Sequence, residues 1–359
     1  MRDAECPGML ADLLVNAALL SVDAAALYAI SKRIRIVTLR RMIAVFVLSP
    51  FLLIPPLFVF GPDAWCLIFA WAIFVHFVIL LVGYAILRWK DRRYWAIASA
   101  ASALLIAAVG VYASCIEPYW LEVSRHRIVS TKVTRPVKIA IIADLHADSI
   151  GDYERRVLEL TKVENPDVVL FGGDYIQESD DARGQELNLE LRTLLKECGF
   201  NFGVAVGGYW DRDDWPLIFQ DTRIDVPGGV REYRHGDISV TALSRSESEY
   251  NPIGFNVTTN FHIVVGHLPN FALGPVQADL LVAGHMRGGQ VRLPFIGPLT
   301  LFSKIPRSWA DGITDLGGGR KLIVSRGIGM ERGSAPRLRF LSRPELVIVE
   351  VVPEDRNAE

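Results

Sequence analysis

The chain has 359 residues, of which 51% are hydrophobic and 22% charged, with a formal net charge of −2. That length allows more than one domain, the apolar fraction is high for a wholly soluble protein, and a near-neutral balance without a basic stripe argues against a nucleic-acid partner. Four cysteines, at positions 6, 66, 115 and 198, have no close pairing and suggest neither a zinc cluster nor a disulfide framework.

In chain order, the apolar excess comes first. Met42 to Phe60, Ala64 to Leu87 and Trp95 to Cys115 each approach the roughly 20 apolar residues that cross a bilayer. Met9 to Ile30 is a fourth stretch of that length, although Asp12 and Asp23 would each cost about 2.5–3.5 kcal/mol near the bilayer centre. A cleaved signal peptide fits the N-terminus poorly, because the first residues lack a positive excess and no small-residue cleavage site follows a short apolar core. Residues 1–116 therefore read as a transmembrane region of three or four helices. Lys32, Arg33, Arg35, Arg40 and Arg41 precede the second stretch, and Arg88, Lys90, Arg92 and Arg93 precede the last. Both loops are expected in the cytoplasm, which places the remaining domain, 117–359, on the extracytoplasmic, periplasmic side. Arg125, Arg127, Lys132, Arg135 and Lys138 give a competing signal, but large domains translocate largely regardless of such charges.

After a mixed polar stretch from Glu117 to about Arg135, short β-branched runs begin. Val137 to Ala143 and Pro166 to Phe171 read as buried strands, and Asp152 to Glu164 between them as an amphipathic crossover helix, a β-α-β unit. A second helix is predicted from about Gln185 to Glu197, then strands at Phe202 to Val206, Ile238 to Leu243, Phe261 to Val265, Leu280 to Ala283, Lys321 to Ser325 and Leu346 to Val352. Gly317-Gly318-Gly319 is a turn signal. This order suits two sheets face to face with helices outside.

Four of these runs end in an Asp or a His: Asp144-Leu145-His146, Gly172-Gly173-Asp174, Gly266-His267 and Gly284-His285. In an extended or just-turning chain, residues two apart share a side, so Asp144 and His146 can converge on one cation. A single Asp after a strand is ordinarily a turn or helix cap. The set of Asp144, His146, Asp174, His267 and His285 points instead to a metal site, and mixed Asp and His donors suit Zn, Mn or Fe better than Ca or Mg. His126, His235 and His262 match no motif, and His76 reads as a buried polar contact.

These segments resemble the calcineurin-like metallophosphoesterases, specifically their membrane-anchored bacterial branch. The resemblance extends from about Glu117 to Val352, with further agreement at 288–294, at 324–329 and at Arg343-Pro344-Glu345. It implies a four-layer αββα sandwich and one or two divalent ions. Asp144 and His146 would bind the first, Asp174 would bridge, and His267 and His285 would bind the second. Two ions about 4 Å apart polarise phosphoryl oxygens and lower the pKa of a bridging water.

The sequence departs from that pattern in two places. Where the family carries G-N-H-D/E, this chain has Gly207-Gly208-Tyr209-Trp210-Asp211. Aligning Asp211 with the final acid puts Tyr209 and Trp210 at the Asn and His, while sliding by one puts Gly208 and Tyr209 there. In the last motif, G-H-x-H, the second His is Arg287, which cannot ligate a metal but can grip a phosphate. Asp211 and Arg287 are accordingly the candidate catalytic residues, and loss of the general acid costs about 10²–10⁴-fold in rate. Two functions fit. The first is a membrane-anchored phosphoesterase or pyrophosphatase acting on a phosphorylated small molecule or lipid headgroup at the bilayer. The second is a degenerate relative that binds a phosphorylated ligand or a protein partner without turnover. A transporter fits least, since the apolar stretches carry few ionisable groups.

Overall fold

A computed structural model describes residues 9–32, 70–178, 180–250, 259–298, 301, 303–331 and 337–354. The chain forms two compact units, one of residues 1–116 with 332–337 and one of residues 117–331 with 338–359.

In the first unit, α1 spans Met9–Ser31, α2 spans Phe77–Arg88 after a π turn at Ala72–His76, and α3 spans Arg93–Val111, continued by a π turn at Tyr112–Ile116. The apolar stretch Met42 to Phe60 and the turn that follows it lie outside the described residues. Gly83 of α2 leaves room for Leu27, because a Cβ there would lie 2.3 Å from a Leu27 methyl. The hydroxyl of the buried Ser99 donates to the Leu81 carbonyl at 2.9 Å, satisfying a buried polar group. Asp23, whose burial looked costly, is not isolated. His76 Nδ1 lies 2.7 Å from its carboxylate and His76 Nε2 lies 3.0 Å from Asn16 Oδ1, so the polar atoms of three residues offset one another's desolvation.

The second unit is built on two six-stranded sheets. Its strands are β1 (Glu122–Ser130), β2 (Val137–Ile142), β3 (Val168–Phe171), β4 (Gly203–Ala205), β5 (Ile224–Asp225), β6 (Arg231–His235), β7 (Ile238–Ala242), β8 (Phe261–Val265), β9 (Leu280–Ala283), β10 (Arg292–Leu293), β11 (Gly297–Pro298), β12 (Gly312–Gly317), β13 (Arg320–Val324) and β14 (Glu345–Pro353). One sheet has the order β1-β14-β2-β3-β4-β5 and the other β12-β13-β9-β8-β7-β6, with β10 and β11 as a separate ribbon. Strands β2, β3 and β4 run parallel, as do β7, β8 and β9, so that their carboxyl ends line up within each sheet.

Side-chain alternation explains the layering. Ile139, Ile141, Val168 and Leu170 face the second sheet, where they meet Val240, Ile263, Val282 and Ile323. Ala140, Ile142, Val169 and Phe171 point the other way, onto helices α4 (Asp152–Val163) and α5 (Asp181–Cys198), through Val157, Leu158, Leu187, Leu191 and Leu195. With both faces covered, every position must be apolar, which is why these strands read as continuous runs. Each such aliphatic side chain contributes about 1.5–3 kcal/mol by leaving water.

The fourth layer differs from the expected helical one. Over β8, β9 and β13, the outward residues Val264, Leu281, Leu322 and Val324 are covered by Phe271, Ala272, Ile305 and Ala310. Among the described residues, the elements on this side are the six-residue α6 (Arg245–Tyr250) and 3-10 turns at Pro269–Leu273 and Arg307–Trp309. The polar stretch after Glu117 contains an unexpected strand. β1 pairs in parallel with β14, from Glu122 opposite Glu345 to Ser130 opposite Pro353, as a half-exposed edge.

Candidate metal centre

The carboxyl ends of β2, β3 and β4 from one sheet and of β8 and β9 from the other open onto the same corner, the usual position of ligands in open α/β sheets. Just past them sit Asp144, His146, Asp174, His267 and Arg287, all buried, and the partly exposed His285. Of the extended and just-turning geometries expected at 144–146, the turning one occurs. Asp144, His146, Asp174, His285 and Arg287 have φ of 50°, 42°, 57°, 68° and 46°, in the left-handed region. Such backbone costs about 1–3 kcal/mol per residue and collects at functional sites. Tight left-handed turns rather than an extended chain bring His146 Nε2 to 3.8 Å from Asp144 Oδ1.

Two glycines make the approach possible. A Cβ on Gly284 would lie 2.6 Å from Asp144 Oδ2, and one on Gly208 would lie 2.3 Å from both the Asp174 amide and Asp174 Oδ1. Position 208 is therefore the one that faces the Asp174 carboxylate, and it has no side chain. Tyr209 is half exposed, with Arg245 5.7 Å from its ring, and Trp210 donates only its backbone N–H, 2.7 Å from Asp174 Oδ1.

Asp174 Oδ1 is thus held, while Oδ2 is buried without a hydrogen bond. It lies 3.2 Å from His267 Nε2 and 3.4 Å from His146 Nε2. His267 Nδ1 donates to the Gly172 carbonyl at 2.7 Å, which directs Nε2 into the site, where His285 Nδ1 lies 3.2 Å away. Burial opposes a charged His267, but the carboxylates of Asp174 and Asp144 push it up to about 9. Burial likewise opposes charge on Asp174, yet His267 holds it well below the usual carboxylate range. Without a cation, the two form a buried ion pair.

On the other side, both oxygens of Asp144 accept the His285 backbone N–H, at 3.0 and 2.9 Å, and burial pushes Asp144 up to about 6. Burial, against the opposing pull of Asp174 and with help from the Arg287 charge, keeps His146 well below the ordinary histidine range. Arg287 Nη1 lies 2.7 Å from His146 Nε2, and Arg287 Nη2 is bonded to the Glu331 carboxylate.

Asp211 has a different setting. Its Oδ2 accepts the N–H groups of Asp174 and Gly208 at 2.8 and 2.6 Å, and its Oδ1 accepts that of Tyr175 at 2.7 Å. The residue pins the loops after β3 and β4 together. Burial and the neighbouring Asp174 charge push Asp211 up to about 7 against those three bonds.

Two groups of side chains could hold a cation, Asp174 with His267 and His285, and Asp144 with His146 and Asp174, each with donor atoms within 4.8 Å of one another. Sequence reasoning missed the supports. Glu331 holds Arg287, and the fully buried Arg339 donates to the carbonyls of Arg326, Gly327, Gly329 and Ser342. That loop in turn donates from Ile328 N to Ala143 O at 2.9 Å and from Gly329 N to Asp144 O at 2.7 Å. Its agreement with the family at 324–329 was the available signal. The unassigned histidines lie elsewhere: His262 bonds Thr241 at 2.8 Å and His235 stacks on Phe202.

A sandwich of two mixed sheets with Asp and His gathered at the carboxyl ends of its parallel strands defines a class of metal-binding α/β domains. Residues 137–288 match the calcineurin-like phosphoesterase family. The chain is 26% identical to the metallophosphoesterase YkuE of Bacillus subtilis (strain 168), over 70% of this chain and 92% of that protein. It is also 26% identical to the phosphodiesterase YaeI of Escherichia coli (strain K12), over 73% and 99%. A metallophosphoesterase of Aquifex aeolicus (strain VF5) is 25% identical over 68% and 96%. Residues 137–288 are thus similar to a calcineurin-like phosphoesterase domain, and the bacterial proteins that resemble the chain over most of their own length are metallophosphoesterases and a phosphodiesterase.

Proposed function

We propose that this chain is a membrane-anchored, metal-dependent phosphoesterase that hydrolyses a phosphoester or pyrophosphate bond of a small molecule or lipid headgroup on the extracytoplasmic side. The observation that carries it is the convergence of Asp174 Oδ2, His267 Nε2 and His285 Nδ1, with the buried carboxylate oxygen left without a hydrogen bond and the His267 tautomer fixed from behind. This set of one oxygen and two nitrogens fits Mn, Fe or Zn and keeps positions open, as a catalytic site requires. A divalent ion held there supplies Lewis-acid polarisation of a phosphoryl oxygen and an acidified water. The protein's own part is positional. Asp211 fixes the Asp174 loop, Trp210 N–H keeps Asp174 Oδ1 turned away from the open corner, and Asp144 holds the His285 backbone.

Membrane attachment rests on Leu13–Ser31 and Arg93–Tyr119, helical segments long and apolar enough to cross a bilayer. Leu14, Leu104 and Leu105 are more than 60% exposed on them, which suits lipid rather than water. The basic residues at 32–41 and 88–93 favour a cytoplasmic loop and an outward-facing domain.

The test is hydrolysis of bis(p-nitrophenyl) phosphate by the purified chain. Mn-dependent turnover that Asp174→Asn abolishes is expected. No metal-dependent turnover would favour the second reading, a binding protein without catalysis, which draws on the bare Gly208 and on the absence of any imidazole at 209 or 210.

A further inference from the structure

We infer that this centre takes one divalent ion rather than two, at Asp174, His267 and His285, and that Arg287 occupies the second position as a fixed cation. The inference rests on the metal-dependent reading above, and it departs from the two-ion site that the family resemblance implies.

His146 Nε2 has a single lone pair. Arginine only donates, so the 2.7 Å contact between Arg287 Nη1 and His146 Nε2 is an N–H donated to an unprotonated nitrogen. A metal–imidazole bond of about 2.0–2.1 Å needs that same lone pair. The guanidinium does not deprotonate, so it cannot yield to a cation by losing charge. Nor is it loosely placed. Arg287 is 5% exposed, its Nη2 is bonded to Glu331, and the Ser342 hydroxyl donates to its backbone carbonyl at 2.9 Å. Glu331 is itself tied down, its N–H donating to Gln290 Oε1 at 3.2 Å and its carbonyl accepting Gln290 Nε2 at 3.3 Å.

The remaining donors agree. Asp144 points both oxygens at the His285 N–H. Two buried atoms of Asp144, His146 and Asp174 have no hydrogen bond, His146 Nδ1 and Asp174 Oδ2; the first carries the proton that an unprotonated Nε2 leaves to it, so the lone-pair donor that remains is the Oδ2 that the other corner also uses. The guanidinium supplies the positive charge that Asp144 and Asp174 would otherwise need from a second ion. Where the chain fits a cation, it fits one; at His146 it has built its own.

The experiment is metal stoichiometry on the purified 359-residue chain, stripped with chelator, loaded with Mn²⁺ and freed of unbound ion, with low-temperature electron paramagnetic resonance alongside. One manganese per chain and an isolated six-line Mn²⁺ spectrum are expected. Two ions, or an exchange-coupled spectrum, would overturn the single-ion inference and leave metal-dependent hydrolysis intact; no ion at all would overturn both. Arg287→His should raise the count to two and couple the spins, and a count that stays at one would show that Arg287 is not what closes the position. Should that variant fail to fold, His146→Ala and His267→Ala still decide. The first should keep its ion and the second lose it, and the reverse pattern would overturn the assignment.

Discussion

The two corners of the site share Asp174 and are built alike, each from a strand-end residue held in a left-handed turn, yet their chemistry has diverged. At His267 and His285, imidazole nitrogens gather beside the buried Oδ2 of Asp174, where a metal ion can replace the proton that His267 holds. At His146, the lone pair is already taken by Arg287, with Glu331 behind it. The contrast shows that the scaffold can keep a ligand's position while changing what that ligand binds. A single guanidinium, supported from a distant loop, converts half of a metal site into an internal ion-pair and hydrogen-bond network.

The largest effect is expected from Asp174→Asn, which weakens the shared donor. Metal affinity and phosphodiester turnover should each fall by about 100-fold or more, read by metal titration and steady-state kinetics. Asp211→Ala comes next, because three backbone N–H groups lose their acceptor. A loss of about 3 kcal/mol of stability is expected in denaturant unfolding, together with weaker metal binding, whereas retained stability would reassign the residue to chemistry. Glu331→Gln should cost less, about 1–2 kcal/mol, because its carboxylate is partly solvated, and it should leave metal uptake at His267 unchanged.

The smallest effect is in pH. In the metal-stripped chain, the folded value of His267, about 9, lies above its unfolded value of about 6.5. The stability it contributes is therefore complete below about pH 6.5 and is lost as pH rises through about 9. Thermal melts of the stripped chain between pH 6 and 9.5 should show this decline, and Asp174→Asn should flatten it.

Much of this was legible in the sequence, and the reasons are local. Asp144, His146, Asp174, His267 and His285 could be singled out because each follows an apolar run at a strand end, a pattern that neighbouring residues alone determine. The strands β2 and β3 were readable because both faces are buried. β1 was not, since an edge strand shows no apolar alternation and its partner β14 lies more than 200 residues away. The part played by Asp211 depends on three backbone N–H groups from two loops, and the link from Glu331 to Arg287 spans 44 residues. Neither leaves a local trace. Asp23 is the same lesson in the apolar unit, where the apparent cost of its charge is met by His76, 53 residues further on.

The central claim is the asymmetry between the corners, and anomalous diffraction from crystals of the chain grown with Mn²⁺ addresses it most directly. One anomalous peak is expected, bonded to Asp174, His267 and His285, with Arg287 still on His146. A peak bonded to His146, with the Arg287 side chain swung away, would contradict it.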